Sequence, residues 1–323
     1  MRIATFNLES LDETRGEGPG LDERIRVLAS QIALANADVL CLQEIAAQKP
    51  GFGRKRVLRA LETLMAATGL NGYHLAVSQN RAGTGPRDIH NLVTLSRFPI
   101  QSTEQLWHDL VVEPRHSFVV EEAAGEEVMV VWDRPVLYTR VNMPGGRLLH
   151  LFNLHLRAPL ACPVPGGKSH YNAWNSVAAW AEGFYLSEIK RTGQALELRL
   201  AIDDVFDGEE DALIVVAGGF NTEKYDTPLE IICGSEVNTA SGSQARRVMV
   251  PVEHSLAADR LFTVIHHGQR QVLDHVVVST ALLDHYQSSE IHNEALTDEL
   301  GSYGVVEASP VSYHAPVVAV FDL

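Results

Sequence analysis

Polar clusters close several apolar runs of the sequence: Thr5-Phe6-Asn7-Leu8-Glu9, Leu42-Gln43-Glu44, Asn153-Leu154-His155-Leu156, Gly218-Gly219-Phe220-Asn221, Leu273-Asp274-His275 and Ser312-Tyr313-His314. They bring together carboxylates, carboxamides and imidazoles, the groups that hold hard cations, orient water and move protons. Strand ends that face a common rim are where a two-sheet scaffold gathers such groups. Each cluster also has a plain structural reading. A glutamate closing a strand is ordinarily exposed, a single histidine ordinarily hydrogen-bonds within the fold, and Asn153 or Asn221 can form turns. His275, next to Asp274, points to the opposite face of its strand and reads as structural. His266 and His267 read as surface or packing residues.

The elements that must position these clusters follow from apolar periodicity. Ile25, Leu28, Ile32 and Ala35 recur on one helical face, with Asp22 as the expected cap. A buried strand over 38–44 ends on Glu44. A second helix carries Val57, Leu61, Leu64 and Met65 and stops at Gly69. Further strands are expected over 73–78, 92–96, 128–132, 136–141, 148–154, 213–217, 261–265, 272–279 and 317–321. The stretch 172–206 is expected as two helices broken near Gly193. Between Trp107 and Pro135, seven acidic residues against Arg115 and Arg134 describe an insertion or hairpin on the rim. The candidate residues come from both ends of the chain and no long linker intervenes, so one domain over residues 1–323, with two packed sheets and outer helices, is expected.

Composition sets the class. With 46% hydrophobic and 21% charged residues, the 323-residue chain can build a core, which excludes disorder. The longest apolar run, Ala212–Phe220, is half of the ~18 residues a membrane span needs, so no span is expected. The start of the chain shows neither a long apolar stretch nor a small-residue cleavage site, which makes the cytoplasm the expected location. Cys41, Cys162 and Cys233 are odd in number and far apart, as thiols of a reducing compartment are. The 26 basic against 41 acidic residues give a net charge of −15, which disfavours long duplex DNA as a substrate. Arg54, Lys55, Arg56, Arg59, Arg81 and Arg87 form the densest positive stretches, and their convergence on one rim would favour a nuclease.

Taken in order from Thr5 to Val317, and with Ser96-Arg97-Phe98-Pro99-Ile100 as a seventh cluster, the motifs resemble the endonuclease/exonuclease/phosphatase superfamily, its deoxyribonuclease I-like and exonuclease III-like members included. The resemblance implies an α/β fold, a four-layer α/β sandwich of two packed mixed β-sheets flanked by helices. It also implies Mg²⁺- or Mn²⁺-dependent cleavage of phosphoester bonds at the sheet rim. It gives a reaction type and not a ligand. The substrate is a phosphoester, with nucleotide, short nucleic acid and small phosphodiester all open, and no protein partner is inferable.

A phosphodiester is anionic and repels hydroxide, so a hard cation with oxygen ligands is wanted, and Mg²⁺ needs only one or two carboxylates. Glu44 is the best candidate ligand. By resemblance, Asn7 is its neutral neighbour at the metal, Asn221 holds the phosphate or the attacking water, and His155 donates to a phosphate oxygen or the leaving group. The resemblance also makes His314 the histidine that faces phosphorus and Asp274 the carboxylate that stabilises its imidazolium, an arrangement that offsets charge gathering on phosphoryl oxygens. Arg134 and Arg157 are the phosphate-binding candidates.

Two departures stand against these matches. The family's Gly-Asp-Phe-Asn reads Gly218-Gly219-Phe220-Asn221, and its Ser-Asp-His reads Ser312-Tyr313-His314. The first removes the aspartate that positions or deprotonates the attacking water, and the loss of a general base lowers rates by ~10²–10⁴-fold. The expectation is an enzyme framework impaired at Gly219, with Glu9 and Glu223 as the nearest substitutes in sequence. A non-catalytic phosphate-ligand binding protein on the same fold is the alternative.

Overall fold

A computed structural model describes every residue except 14–17, 52–54, 171–172, 303–304 and 307–308. The alternating strand residues sort into three apolar layers. On one face, Ala4, Phe6, Leu40, Leu42, Val93 and Leu95 meet the helical stripes of α1 (Leu21–Ala35) and α2 (Arg59–Thr68). In the middle, Ile3, Val39, Val317 and Ala319 of one sheet meet Leu149, Leu151, Val215, Ala217 and Val276 of the other. On the far face, Phe152, Leu154, Ile214 and Val216 pack on Leu198, Ile202 and Phe206 of α3 (Val177–Gly208) and on Leu229 and Ile232 of α4 (Thr227–Cys233). Period-2 strands with both faces apolar must be covered on both sides, and the result is helix, sheet, sheet, helix.

Numbered along the chain, the first sheet comprises β1 (Arg2–Leu11), β2 (Val39–Ile45), β3 (His74–Val77), β4 (Asn91–Ser96), β13 (Tyr286–Ile291) and β14 (Val317–Phe321), in the order β13-β14-β1-β2-β4-β3. The second comprises β5 (Ile100–Leu106), β8 (Val136–Asn142), β9 (Leu148–His155), β10 (Leu213–Gly219), β11 (Met249–Pro251) and β12 (Asp274–Ser279), in the order β11-β12-β10-β9-β8-β5. Both are mixed: β1 runs parallel to β2 and antiparallel to β14, while β10 runs parallel to β9 and antiparallel to β12. These are the central strands that end in the polar clusters.

A polar staple crosses the apolar middle just below the rim. Gln43 donates from Nε2 to Asn153 Oδ1 (2.9 Å), and Asn153 donates from Nδ2 to the Val93 carbonyl (2.9 Å). Both side chains are fully buried, so the bonds fix the register of one sheet's rim against the other. Asn153 is thus a structural pin between sheets rather than a turn residue.

Three local expectations are corrected. The helix preceding β10 is unbroken over Val177–Gly208, and Asn172 lies outside the described residues. Gly193 is there for close approach: a Cβ would sit 2.3 Å from the ring of Trp132, so the indole presses on the helix backbone. The first helix starts two residues earlier than a cap at Asp22 would set, with Gly20 as its N-cap and no side-chain cap bond. The acidic insertion forms a short hairpin, β6 (Arg115–Ser117) with β7 (Glu127–Met129), which replaces the strand expected over 128–132. Buried acids of α3 hold this segment. Glu182 accepts from the Val119 N–H (2.8 Å) and Glu197 from Trp132 Nε1 (2.7 Å). Among the described residues no helix is long and apolar enough to cross a membrane.

Candidate active site

The clusters meet at one rim. β1 ends in an irregularity after Asn7, where Glu9 (φ 48°) and Ser10 (φ 56°) take left-handed backbone and turn back toward β2. Glu44, itself at φ 60°, receives Asn7 Nδ2 on Oε1 (3.1 Å) and the backbone N–H and hydroxyl of Ser10 on Oε2 (3.1 and 3.2 Å). Ten non-glycine residues among those described adopt left-handed backbone, and five of them, Glu9, Ser10, Glu44, His90 and Asn221, stand at this rim. Such conformations are strained for side-chain-bearing residues and persist where the surroundings enforce them, most often at functional sites.

His314 arrives on the segment before β14, and its Nδ1 donates to Asp274 Oδ2 at 2.7 Å. Burial alone would pull this imidazole down, but Asp274, with Glu44 and Glu9 beyond it, raises it to about 9. The pair is therefore an imidazolium on a carboxylate at neutral pH. Asp274 is positioned by its backbone N–H on Thr263 Oγ1 (3.2 Å), and its Oδ1 is buried without a hydrogen-bond partner.

His155 is the opposite case. Burial first, then Arg134 and the imidazoles of His90 and His314, hold it well below its ordinary value. Arg134 donates to His155 Nδ1, which leaves the proton of the neutral ring on Nε2, 3.6 Å from Glu44 Oε1. Arg134 reaches the site because the hairpin segment docks on α3, where Gln194 Nε2 holds the Arg134 carbonyl at 2.7 Å. Glu44 is pushed up by burial, yet His90, the Asn7 amide, His314 and Arg134 together bring it below the ordinary carboxylate range.

Several of the expected residues are engaged by neighbouring protein groups. Arg157 is engaged by Asp133 Oδ2 at 2.6 Å, with Ser187 Oγ and the Leu160 carbonyl also on its guanidinium, so it buttresses the hairpin. Asn221 points its amide at the Leu156 carbonyl (2.8 Å) and holds the turn after β10. Glu223 bonds through its backbone to Asp226 (2.8 Å). Tyr313 is buried, and its backbone N–H donates to Glu9 Oε2 at 2.8 Å. Glu9 therefore lies against the segment that carries Tyr313 where the resemblance implies an aspartate. Burial pushes the Glu9 carboxyl up to about 7, opposed by the Tyr313 N–H and His314.

His90 is the residue that sequence reasoning missed. It precedes β4 at φ 57° and sets its Nδ1 3.8 Å from Glu44 Oε2. Glu44, His90 and His155 are grouped closely enough to share a metal ion. The only signal in the sequence was a His-Asn pair opening an otherwise apolar strand.

Gly219 lies between the two halves of the site, paired with His155 on one side and Asp274 on the other. A Cβ there would meet His155 Cδ2 at 3.1 Å and Asp274 Oδ1 at 3.5 Å. His275, on the other face of β12, is buried with Nδ1 on Glu253 (2.7 Å) and Nε2 on the Thr222 carbonyl (2.8 Å). Two acceptors require two N–H donors, so His275 is a buried cation; burial lowers it, but Glu253 and the Thr222 carbonyl raise it above its ordinary value. Glu253→Gln leaves that charge unpaired and is expected to lower folding stability by ~3–5 kcal/mol. Urea denaturation at pH 6 would measure it, and a change below 1 kcal/mol would mean that His275 is neutral.

The polar inventory fits a divalent cation at Glu44. The carboxylate is ionised, the Asn7 amide adjoins it, and His90 Nδ1 is buried with no hydrogen-bond partner. A cavity of about 560 Å³ lined by Arg199, Tyr225 and Arg247 contains none of these residues.

Comparison with known proteins agrees with this arrangement. The endonuclease/exonuclease/phosphatase family pattern matches residues 4–314. No curated protein matches the sequence. Similar solved structures include an endonuclease/exonuclease/phosphatase from Bacteroides vulgatus (TM-score 0.60, 16% identity, 100% of this chain and 98% of that one). A mannosyl-6-phosphatase from Bacteroides thetaiotaomicron gives TM-score 0.60 at 15% identity, with both chains covered in full. An AP endonuclease from Archaeoglobus fulgidus gives 0.51 at 15%, again over both full chains. At these identities the structures speak for the fold alone, whereas the family pattern spans both halves of the site. The chain belongs to the endonuclease/exonuclease/phosphatase family.

Proposed function

We propose that this protein is a divalent-cation-dependent phosphoesterase whose turnover is limited by Gly219. The observation that carries the reading is the buried Asp274–His314 pair, 2.7 Å apart, held at the same rim as the ionised Glu44. A divalent cation, Mg²⁺ or Mn²⁺ by family resemblance, held at Glu44 beside Asn7 would neutralise a phosphoryl oxygen and polarise the bond to phosphorus. His314 presents a fixed positive charge to the equatorial oxygens, and Asp274 keeps that charge in place as the anion gathers. Arg134 binds a phosphoryl oxygen, and the Nε2–H of His155 donates to a second oxygen or to the leaving group. Asn221 shapes the turn on which the phosphate rests.

With Gly219 in place of an acid, Glu9 is the carboxyl group whose value of about 7 suits it to take a proton from water near neutral pH. It sustains residual turnover. The resulting pH dependence is bell-shaped, rising as Glu9 loses its proton near 7 and falling as His314 loses its proton near 9. The same histidine gives the fold a pH signature. Its value is raised from the ordinary ~6.5, so its stabilisation is complete below that and is lost as pH rises through about 9. A kcat profile from pH 5 to 10 would check the two limbs, and an activity that still climbs between pH 9 and pH 10 would remove His314 as a cationic group.

A small phosphoester or nucleotide suits the site better than long nucleic acid. The net charge is −15, and the basic residues that could have formed a track are paired: Arg56 with Asp88, Arg59 with Glu13 and Arg81 with Glu113. Lys55 is exposed, and Arg54 lies outside the described residues. Absence of a side chain at Gly219 favours the second reading, a phosphate-ligand binding protein without turnover. Hydrolysis of bis(4-nitrophenyl) phosphate and 4-nitrophenyl phosphate, with Mg²⁺, Mn²⁺ or EDTA, separates the two. Cation-dependent release supports the esterase, and phosphate binding without release supports the binding protein.

A further inference from the structure

We propose that the cation site of this chain is a mixed carboxylate–imidazole site, with His90 Nδ1 as a ligand beside Glu44, and that it prefers a first-row transition ion such as Zn²⁺ or Co²⁺ to Mg²⁺. The inference rests on the cation-dependent reading above and names its ion class. His90 Nδ1 lies 3.8 Å from Glu44 Oε2, too far for a hydrogen bond, and is buried with no other hydrogen-bond partner. Two ligand atoms bound at about 2.1 Å to a tetrahedral ion are ~3.4 Å apart, so a small rotation of the imidazole closes the pair around one ion.

The placement is enforced. His90 stands at φ 57°, a conformation that a side-chain-bearing residue adopts only when held. Asn91 holds it: its Oδ1 takes the Arg87 N–H (2.7 Å), and its Nδ2 reaches the Ile45 carbonyl (2.8 Å) and the Arg87 carbonyl (2.9 Å). Glycine would occupy this backbone without strain, yet the chain carries an imidazole there, aimed at the ionised carboxylate.

His155, although close, is not the nitrogen ligand. A guanidinium can only donate, so the Arg134 contact takes the Nδ1 lone pair of His155 and leaves its Nε2 protonated. His155 remains a donor, and His90 supplies the nitrogen. Mg²⁺ takes oxygen ligands in near-ideal octahedral geometry and sheds water reluctantly, whereas imidazole suits Zn²⁺, Co²⁺ and their neighbours. Gly219 and Tyr313 shift the balance the same way, because each stands where a further oxygen ligand or acid would favour the harder ion.

The experiment uses the full-length protein stripped with EDTA and titrated with Co²⁺, Zn²⁺ and Mg²⁺ by calorimetry, with the visible absorption of bound Co²⁺ as a second readout. Loss of the Co²⁺ signal in Glu44→Gln locates the ion. The decisive variant is His90→Gly, which removes the ligand while relieving the backbone, and its melting temperature should equal or exceed the parent's. Co²⁺ and Zn²⁺ affinity should fall ~10–100-fold in His90→Gly, with Mg²⁺ affinity within twofold of the parent's. Should His90→Gly fail to fold, His90→Asn serves, because asparagine tolerates the same backbone. Unchanged Co²⁺ affinity in the folded variant, or a parent that binds Mg²⁺ as tightly as Co²⁺, overturns the proposal. Either result leaves phosphoester hydrolysis to be judged by its own assay, so failure of the ligand and failure of the reaction are told apart.

Discussion

Gly219→Asp is expected to raise phosphodiester turnover by about 10²-fold, the effect of a positioned general base. The position is prepared for it. Gly219 closes β10 between His155 and Asp274, and a Cβ there needs His155 to yield by only a few tenths of an ångström from 3.1 Å. The new carboxylate would lie beside Asp274, whose Oδ1 is buried and unpaired. Burial and a like charge both push its pKa up toward neutrality, where a base is most effective. Stopped or continuous assays on bis(4-nitrophenyl) phosphate would measure the gain, and a gain below threefold in a folded variant would mean that Gly219 does not limit the reaction. The other departure does not invite the same repair. Tyr313 is 6% exposed and packs inward, so an aspartate there would bury a charge where Glu9 already stands.

Asp274→Asn is expected to reduce activity by ~10²–10⁴-fold, because it removes the charge that keeps His314 protonated. The sign follows from the opposing influences on that ring. Burial lowers its pKa, and Asp274 is the foremost of the groups that raise it to about 9. Without the carboxylate, burial prevails, and the imidazole is neutral through the physiological range. Histidine titration by NMR reports this directly, independent of turnover. A His314 that still titrates near 9 in Asp274→Asn would assign its proton affinity to Glu44 and Glu9 instead.

Much of this arrangement is legible in the sequence, for a physical reason. Apolar strands that alternate between two covered faces must end in loops at a common rim, so Asn7, Glu44, His155, Asp274 and His314 could be assigned to one place from pattern and resemblance together. What the sequence could not carry was side-chain partnership across long separations. Arg134 and Arg157 look alike in sequence, yet Asp133 and Ser187 engage one while the other bonds to His155. Gly193 reads as a helix breaker by propensity, whereas the Trp132 ring pressing on it explains the residue without any break. His90 escaped notice because its importance lies in a left-handed backbone and a distance to Glu44, and neither has a spacing in sequence.

Cation-dependent hydrolysis by Gly219→Asp, measured against the same variant carrying Glu44→Gln, bears most directly on the function proposed here. With Mn²⁺ or Co²⁺ present, Gly219→Asp should release 4-nitrophenol from bis(4-nitrophenyl) phosphate or 4-nitrophenyl phosphate, EDTA should stop the release, and Glu44→Gln should abolish it. A folded Gly219→Asp protein that binds the cation and hydrolyses neither compound, nor any nucleotide, lipid or sugar phosphate, would contradict the phosphoesterase and leave a phosphate-binding protein in its place.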